Sequence, residues 1–242
     1  MKILDININC FGGTDYQREK FKDDYGPRCY LKMWDERDKS KEINGILDCI
    51  KRHSPDIVIM QEYDINSSEA QFFEMKMRTN GYILESEKPE SPRPSMTVFF
   101  VRESTISTHT YVSANHTRNG RAYSIKVGDI ILYGVHIPPR YDEQFWTELH
   151  KFVKKIMSEK YLLIGDFNTI NPKNMNQVNE LLKDATDIWH AKGNDSSISV
   201  MGDYAIVSKT INIQNVDIDS FDEGYSDHPV ICLLYTSDAA DD

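Results

Sequence analysis

An acid and an amide two residues apart, Asp166 and Asn168, close the apolar run Tyr161-Leu162-Leu163-Ile164-Gly165. In an extended chain they point to the same side, with Phe167 pointing the other way. A carboxylate that can take a proton, beside a neutral amide, suits a site that positions water against a phosphate and a cation. Gly, Asp and Asn also build ordinary turns, so this stretch alone is equally compatible with one. Four more places carry similar groups. Asn7 and Asn9 follow a first apolar run, Glu62 ends a second, His136 ends another, and Ser226-Asp227-His228 precedes the last. One such ending is unremarkable. Five, carrying mostly oxygen donors and two histidines, are hard to explain as turns, and strand ends in α/β sheets are where ligands collect.

The elements that must position these groups can be read from periodicity. Lys2 to Asn9 alternates as a strand, and Cys10-Phe11-Gly12-Gly13 reads as a turn. Residues 14–37 show no clear period and read as a loop with some helix. Ser40 to His53 has helical spacing and stops before Pro55. Asp56 to Glu62 is a buried strand, and a helix is predicted over Ser67 to Thr79 with Phe72, Phe73 and Met77 inward. A short strand at Tyr82 to Leu84 precedes a proline-rich loop, Glu87 to Pro94. Strands follow at Met96 to Val101, Thr108 to Ser113, Ala122 to Val127 and Ile130 to His136, with a hairpin at Gly128-Asp129. Glu143 to Met157 is an amphipathic helix with Phe145, Trp146, Leu149, Phe152, Val153 and Ile156 on its core face. After the Tyr161 strand comes a helix over Met175 to Leu182, an irregular stretch at 184–199, and strands at Tyr204 to Val207, Ile211 to Val216 and Pro229 to Leu234. Many strands and few helices in 242 residues imply two packed sheets with helices outside.

Composition narrows the function. At 40% hydrophobic and 11% aromatic, the chain can bury a sizeable core. No apolar run approaches the roughly 18 residues of a membrane span. Asp5 interrupts the place where a signal peptide would be apolar, and Cys10, Cys29, Cys49 and Cys232 lack zinc or CxxC spacing. These features point to a cytoplasmic protein with reduced thiols. A formal charge of −10 excludes coating nucleic acid through a broad basic face. It leaves room for an enzyme that holds a short stretch of backbone, because a divalent cation brings its own positive charge. Residues 232–242 resemble one reading frame of a sequencing adapter. The expectation is one domain over residues 1–231, followed by a non-native tail whose apolar start can still complete a strand.

Asn7-Ile8-Asn9, Gln61-Glu62, Gly134-Val135-His136, Gly165-Asp166-Phe167-Asn168, Asp203-Tyr204 and Ser226-Asp227-His228 stand in an order and rough spacing that resembles the endonuclease/exonuclease/phosphatase superfamily. Deoxyribonucleases, abasic-site endonucleases, neutral sphingomyelinases and inositol-polyphosphate phosphatases share this fold. The resemblance covers Lys2 to Ile231, and the ordered GDFN and SDH pair is its most specific part. It implies an α/β fold, a four-layer α-β-β-α sandwich of two packed mixed sheets, with the site at one end of both.

The same resemblance implies roles. Glu62 is the main metal ligand with Asn7 beside it, for magnesium or manganese. Asp227 holds a second ion or a metal-bound water, and Asn9 is either a neighbour of the metal or a turn residue. Asp166 orients or deprotonates the attacking water, and Asn168 holds that water and the phosphate. His228 donates to a non-bridging oxygen, with Asp203 fixing its tautomer. His136 assists the leaving oxygen or binds phosphate, and Arg121 is either a phosphate ligand or a surface charge. The general base stays open among Asp166, His136 and His228. His53, His109, His116, His150 and His190 fall outside the motifs and read as ordinary residues, with His116 near enough to Arg121 to notice. Cys10 stands where many relatives have glycine.

His136 within Gly-Val-His-Ile-Pro resembles the histidine-bearing branch rather than abasic-site endonucleases, and the basic and aromatic insertions of duplex-kinking repair enzymes are missing. The expected activity is a divalent-metal-dependent phosphodiester hydrolase acting on nucleic acid or nucleotides. The alternatives are a phosphatase or phosphodiesterase of a small or lipid phosphoester and, remotely, a non-catalytic binding module. No membrane span or protein partner is expected.

Overall fold

The computed structural model describes residues 1–14, 19–20, 22–24, 36–87, 96–108, 111–117, 119–188, 202–219 and 224–236. Among them, twelve strands form two six-stranded sheets. The first sheet contains β1 (Lys2–Asn7), β2 (Ile57–Tyr63), β3 (Tyr82–Leu84), β4 (Met96–Arg102), β11 (Ile213–Asp219) and β12 (Val230–Tyr235), in the order β11-β12-β1-β2-β4-β3. The second contains β5 (Tyr111–Asn115), β6 (Ala122–Val127), β7 (Ile130–His136), β8 (Lys160–Asp166), β9 (Ala185–Asp187) and β10 (Asp203–Ser208), in the order β5-β6-β7-β8-β10-β9. Each sheet is mixed: β1–β2 and β7–β8 are parallel, and the other pairs are antiparallel.

Alternation along the strands explains the layers. One side of each sheet, carrying Ile57, Ile59, Phe99, Ile125, Leu132, Leu162, Ile164 and Ile231, packs into the central core between the sheets. The other side of the first sheet, with Leu4, Ile6, Val58 and Phe100, is covered by α1 (Ser40–His53) and α2 (Ser68–Thr79). The second sheet is covered by α4 (Glu143–Ile156) and α5 (Pro172–Leu181) through Trp146, Leu149, Val178 and Leu181. Local signals set these helices. Ser67 Oγ accepts from Ala70 N at 3.0 Å at the start of α2, and Asp142 Oδ1 accepts from Phe145 N at 3.0 Å at the start of α4. The sheets approach closely at Gly134, where a Cβ would lie 2.7 Å from Ile59 Cγ2 and 2.8 Å from Thr97 Cγ2.

Four expectations are corrected. Glu103–Thr108 is a short helix, α3, and the next strand starts only at Tyr111. Thr108, read as the first residue of a strand, instead ends this helix, which leads from the first sheet towards the second. Phe72 is 40% exposed, with Lys76 Nζ 5.1 Å above its ring. Ala70, Phe73 and Met77 already fill the inward stripe of α2. α5 begins at Pro172, three residues earlier than periodicity indicated, because Asn171 caps it and proline suits a first helical turn. Ala185–Asp187, in the stretch read as irregular, is an edge strand. Cys232 to Tyr235 belong to β12, with Cys232, Leu233 and Tyr235 buried. The loops read at 15–18, 25–35 and 88–94, and His109 and His190, lie outside the described residues.

Candidate active site

The inner faces of both sheets turn polar at the same end. Ile3-Asp5-Asn7 on β1, Ile57-Ile59-Gln61 on β2, Leu132-Gly134-His136 on β7 and Leu162-Ile164-Asp166 on β8 each finish in a polar residue. β10 runs the other way, so its first residue, Asp203, reaches that end. Register does the rest: Asn7 lies level with Gln61, His136 with Asp166, and Asp203 opposite Asp166.

Glu62 is aimed by backbone strain. The β2–β4 pairing shifts register between Met60 and Tyr63, and Glu62 sits there at φ +55°. Its Oε1 lies 3.4 Å from Asn7 Nδ2 and 3.7 Å from His136 Nε2. His136 Nε2 in turn lies 3.6 Å from Asp166 Oδ2. A polar chain thus crosses from one sheet to the other. Asn168, also left-handed at φ +48°, donates from its backbone N–H to Asp166 Oδ1 at 2.7 Å. Its amide donates to Asp166 Oδ2 at 2.9 Å and to Ile137 O at 2.7 Å. Phe167 points away and is buried near Trp146 and Tyr204, as the alternation predicted.

Asp203 Oδ2 lies 2.9 Å from His228 Nδ1, and its other oxygen lies at 3.2 Å. The Ser226 hydroxyl accepts from His228 N at 3.0 Å and donates to the Asn7 carbonyl, tying the loop before β12 to β1. Arg121 joins through His136: its carbonyl accepts from His136 N at 2.8 Å, and its guanidinium donates to His136 O at 3.3 Å. Asn9 is used locally. Its N–H donates to Asn7 Oδ1 at 3.0 Å and its amide to Gly13 O at 3.1 Å, closing the turn that follows β1. Asp227 stands beside His228, where its charge helps to hold the imidazole proton.

The electrostatics separate two protonation roles. Burial pushes the Asp166 carboxyl up, the charges of Asp203 and Glu62 push it further, and His228 and the Asn168 N–H pull it back; the balance lies at about 7. For His228, burial alone pushes the imidazole down. The charge and hydrogen bond of Asp203, with Asp166 and Asp227, more than reverse this and hold it at about 10. Asp203 thus favours the charged form of His228, while burial beside two carboxylates makes Asp166 hold a proton more readily than a free carboxyl does.

Among the described residues, no cluster of three or more His, Cys, Asp or Glu side chains forms a ready cation cage. The donors present still suit a hard divalent ion. The Glu62 carboxylate is 27% exposed beside the Asn7 amide, whose carbonyl oxygen has a second lone pair. Magnesium commonly takes one or two carboxylates and keeps several waters.

Two contributors escaped the sequence reading. Asp5 is 1% exposed and accepts from Gln61 Nε2 at 2.6 Å; burial raises its carboxyl well above the usual range. Its signal was an acid in the middle of an apolar strand, on the same side as Asn7. Asn174, fully buried, donates to Pro138 O at 3.1 Å and Asn168 O at 3.2 Å and accepts from Trp146 Nε1 at 2.9 Å, bracing both loops beside Asp166. Nothing in its local sequence marked it.

The sequence profile of the Endonuclease/Exonuclease/phosphatase family matches residues 7–228, and the chain belongs to this family. It is thereby an enzyme of the phosphoester-hydrolase class. Solved structures share the fold. An AP endonuclease, LMAP, from Leishmania major superposes with a TM-score of 0.68 at 11% identity, covering 98% of this chain and 88% of that one. D. rerio TDP2 complexed with single strand DNA product gives 0.65 at 15% identity, covering 98% and 99%. The 3' phosphatase NExo from Neisseria, bound to product DNA hairpin, gives 0.63 at 15% identity, covering 98% and 100%. No curated protein sequence matches the chain.

Proposed function

We propose that this protein is a divalent-metal-dependent phosphodiester hydrolase that acts on nucleic acid or nucleotides by in-line attack of water. The observation that carries the reading is the polar chain Glu62–His136–Asp166 across the two sheets, with links of 3.7 and 3.6 Å. It supports assembly of one centre from both halves of the fold.

Asp166 is the general base. His228 keeps its proton to about 10 and cannot accept one at neutral pH. His136 lies between two carboxylates, 3.7 Å from Glu62 and 3.6 Å from Asp166, and serves to link them. Asp166, near 7, can take the proton of a water that Asn168 helps to orient. His228 donates to a non-bridging phosphoryl oxygen, and Asp203 fixes the donating nitrogen as Nε2 by occupying Nδ1. His136 and Arg121 stand where a leaving oxygen or a neighbouring phosphate needs positive charge. Glu62 and Asn7 would hold the cation, with Asp227 and Asn9 further out; when bound, it offsets charge on the phosphoryl and leaving oxygens. The DNA recorded with D. rerio TDP2 and the Neisseria phosphatase supports a nucleic-acid substrate.

The test offers plasmid DNA, RNA, bis-p-nitrophenyl phosphate and p-nitrophenyl phosphate with magnesium, manganese or chelator. Diester turnover that chelator abolishes is expected, and Asp166→Ala and His228→Ala should each lose at least about a hundredfold in rate. Turnover of the monoester alone, or near-full activity in both variants, overturns the assignment.

A further inference from the structure

Outside the catalytic cluster, one groove combines an aromatic floor with a polar rim. It has a volume of about 640 Å³, within the usual range for small-molecule sites. The rings of His116, Tyr133 and Phe152 are in mutual contact at its floor, with centroids 4.9, 4.5 and 4.7 Å apart. Thr117, Asn119 and Gln144 bring a hydroxyl and two amides to its walls.

Its position follows from topology. β5 is antiparallel to β6, and β6 to β7, so Asn115 at the end of β5 and Val135 near the end of β7 both lie at the catalytic end of the sheet. His116 continues from β5, donating its backbone N–H to Ala122 O at 3.0 Å. The segment then leads through Asn119 to Arg121, whose backbone and guanidinium both bond His136. The groove therefore lies on the helix-covered side of the second sheet, and the 116–121 segment that walls it leads to the end of the sheet where His136 sits.

Its charge selects the ligand. Among the described residues, Asp142 and Glu148 line it with Lys151 and Lys155, two of each sign, and Lys151 already pairs with Glu148 at 2.9 Å. Burial, and then the charge of Lys155, push the His116 imidazole down to about 4, so the floor is uncharged at neutral pH. Its Nε2 lies 2.7 Å from Ser124 Oγ, which fixes the ring. A neutral planar heterocycle with donors and acceptors on its edge matches such a surface.

We propose that this groove is a nucleobase subsite, seating a base of a single strand that runs from the catalytic end over the edge of the sheet, against Phe152 and His116, with its edge on the Gln144 amide. The proposal rests on the nucleic-acid reading above and adds to it a preference for unpaired strands, since a paired base presents no free face.

Two measurements test it separately from that reading. The first compares a short single-stranded oligonucleotide with an abasic strand of the same length. Phe152→Ala and Gln144→Ala are expected to raise KM for the first at least about fivefold, to leave kcat unchanged, and to leave the abasic strand unaffected. Equal KM for wild type and both variants overturns the subsite while cleavage itself stands. The second titrates unphosphorylated adenosine and follows the side-chain amide resonances of Gln144 and Asn119. Saturable shifts, weakened in Phe152→Ala, support the subsite even if no nucleic acid is cleaved. No shift at about 10 mM, well above the millimolar Kd that corresponds to only about 4 kcal/mol of binding, overturns it whatever the activity. Gln144 is on the surface of α4, so its replacement remains informative if Phe152→Ala fails to fold.

Discussion

Asp203 decides what His228 can do. Both of its oxygens lie within 3.2 Å of Nδ1, and its charge and hydrogen bond are the strongest influences holding the imidazole proton to about 10. Asp203→Asn removes the charge and leaves a weaker acceptor. The prediction is that the alkaline limb of the pH–rate profile, set in the wild type by loss of the His228 proton, moves down towards neutrality. Rates on bis-p-nitrophenyl phosphate should then fall across pH 7 to 9, where the wild type holds steady. An unmoved limb would show that the His228 charge does not matter for turnover. Single residues also show where sequence reading ends. Asp166, Asn168 and His228 announced themselves by type and place. Asn174 did not, because its importance lies in partners from 138 and 146 that only the fold supplies.

Between β1 and α1 the chain takes three successive left-handed residues, Asn9, Cys10 and Phe11, at φ +45°, +51° and +60°. Each costs a non-glycine residue about 1–2 kcal/mol. Neighbours hold the turn: Arg37 Nη2 donates to Gly12 O at 2.8 Å, Lys39 Nζ donates to Cys10 O at 3.3 Å, and Phe11 is buried against Tyr63 and Phe73. With Glu62 and Asn168, five of the six non-glycine residues at positive φ among the described residues lie at or beside the site. Such strain collects where geometry serves function. Cys10→Gly should raise stability by about 1 kcal/mol, read from chemical denaturation, with turnover close to wild type. A loss of stability would mean that the Cys10 side chain holds the turn. Strand and helix positions were legible from periodicity because packing follows it. The bends were not: a bulge at Glu62 and a left-handed run at Asn9–Phe11 leave no mark in hydrophobic pattern, since Glu and Phe are unusual choices for such backbone.

The stability of the whole molecule should depend on pH through the same groups. In an unfolded chain an imidazole titrates near 6.5, whereas folded His228 keeps its proton to about 10. Between these values the folded state binds more protons, so stability falls as pH rises. Asp166, at about 7 when folded against 3.8, adds a fall below neutrality, and His116, at about 4, opposes it below 6.5. Above 7 the His228 contribution stands without that opposition. Calorimetry with chelator present should therefore give a lower Tm at pH 9.5 than at 7.5, and His228→Gln should flatten the difference. A wild-type Tm unchanged over that range would show that the folded His228 loses its proton near neutrality.

β12 lies between β1 and β11, and the Met1 amino group donates to Tyr235 O at 2.6 Å across that seam. The last strand among the described residues thus borders the first, and His228 enters just ahead of it. A nascent chain on the ribosome can pair β1 with β2 early, yet the first sheet keeps an open flank and the candidate site lacks His228 until more than 220 residues have emerged. A chain interrupted before His228 therefore has no imidazole for Asp203 to hold.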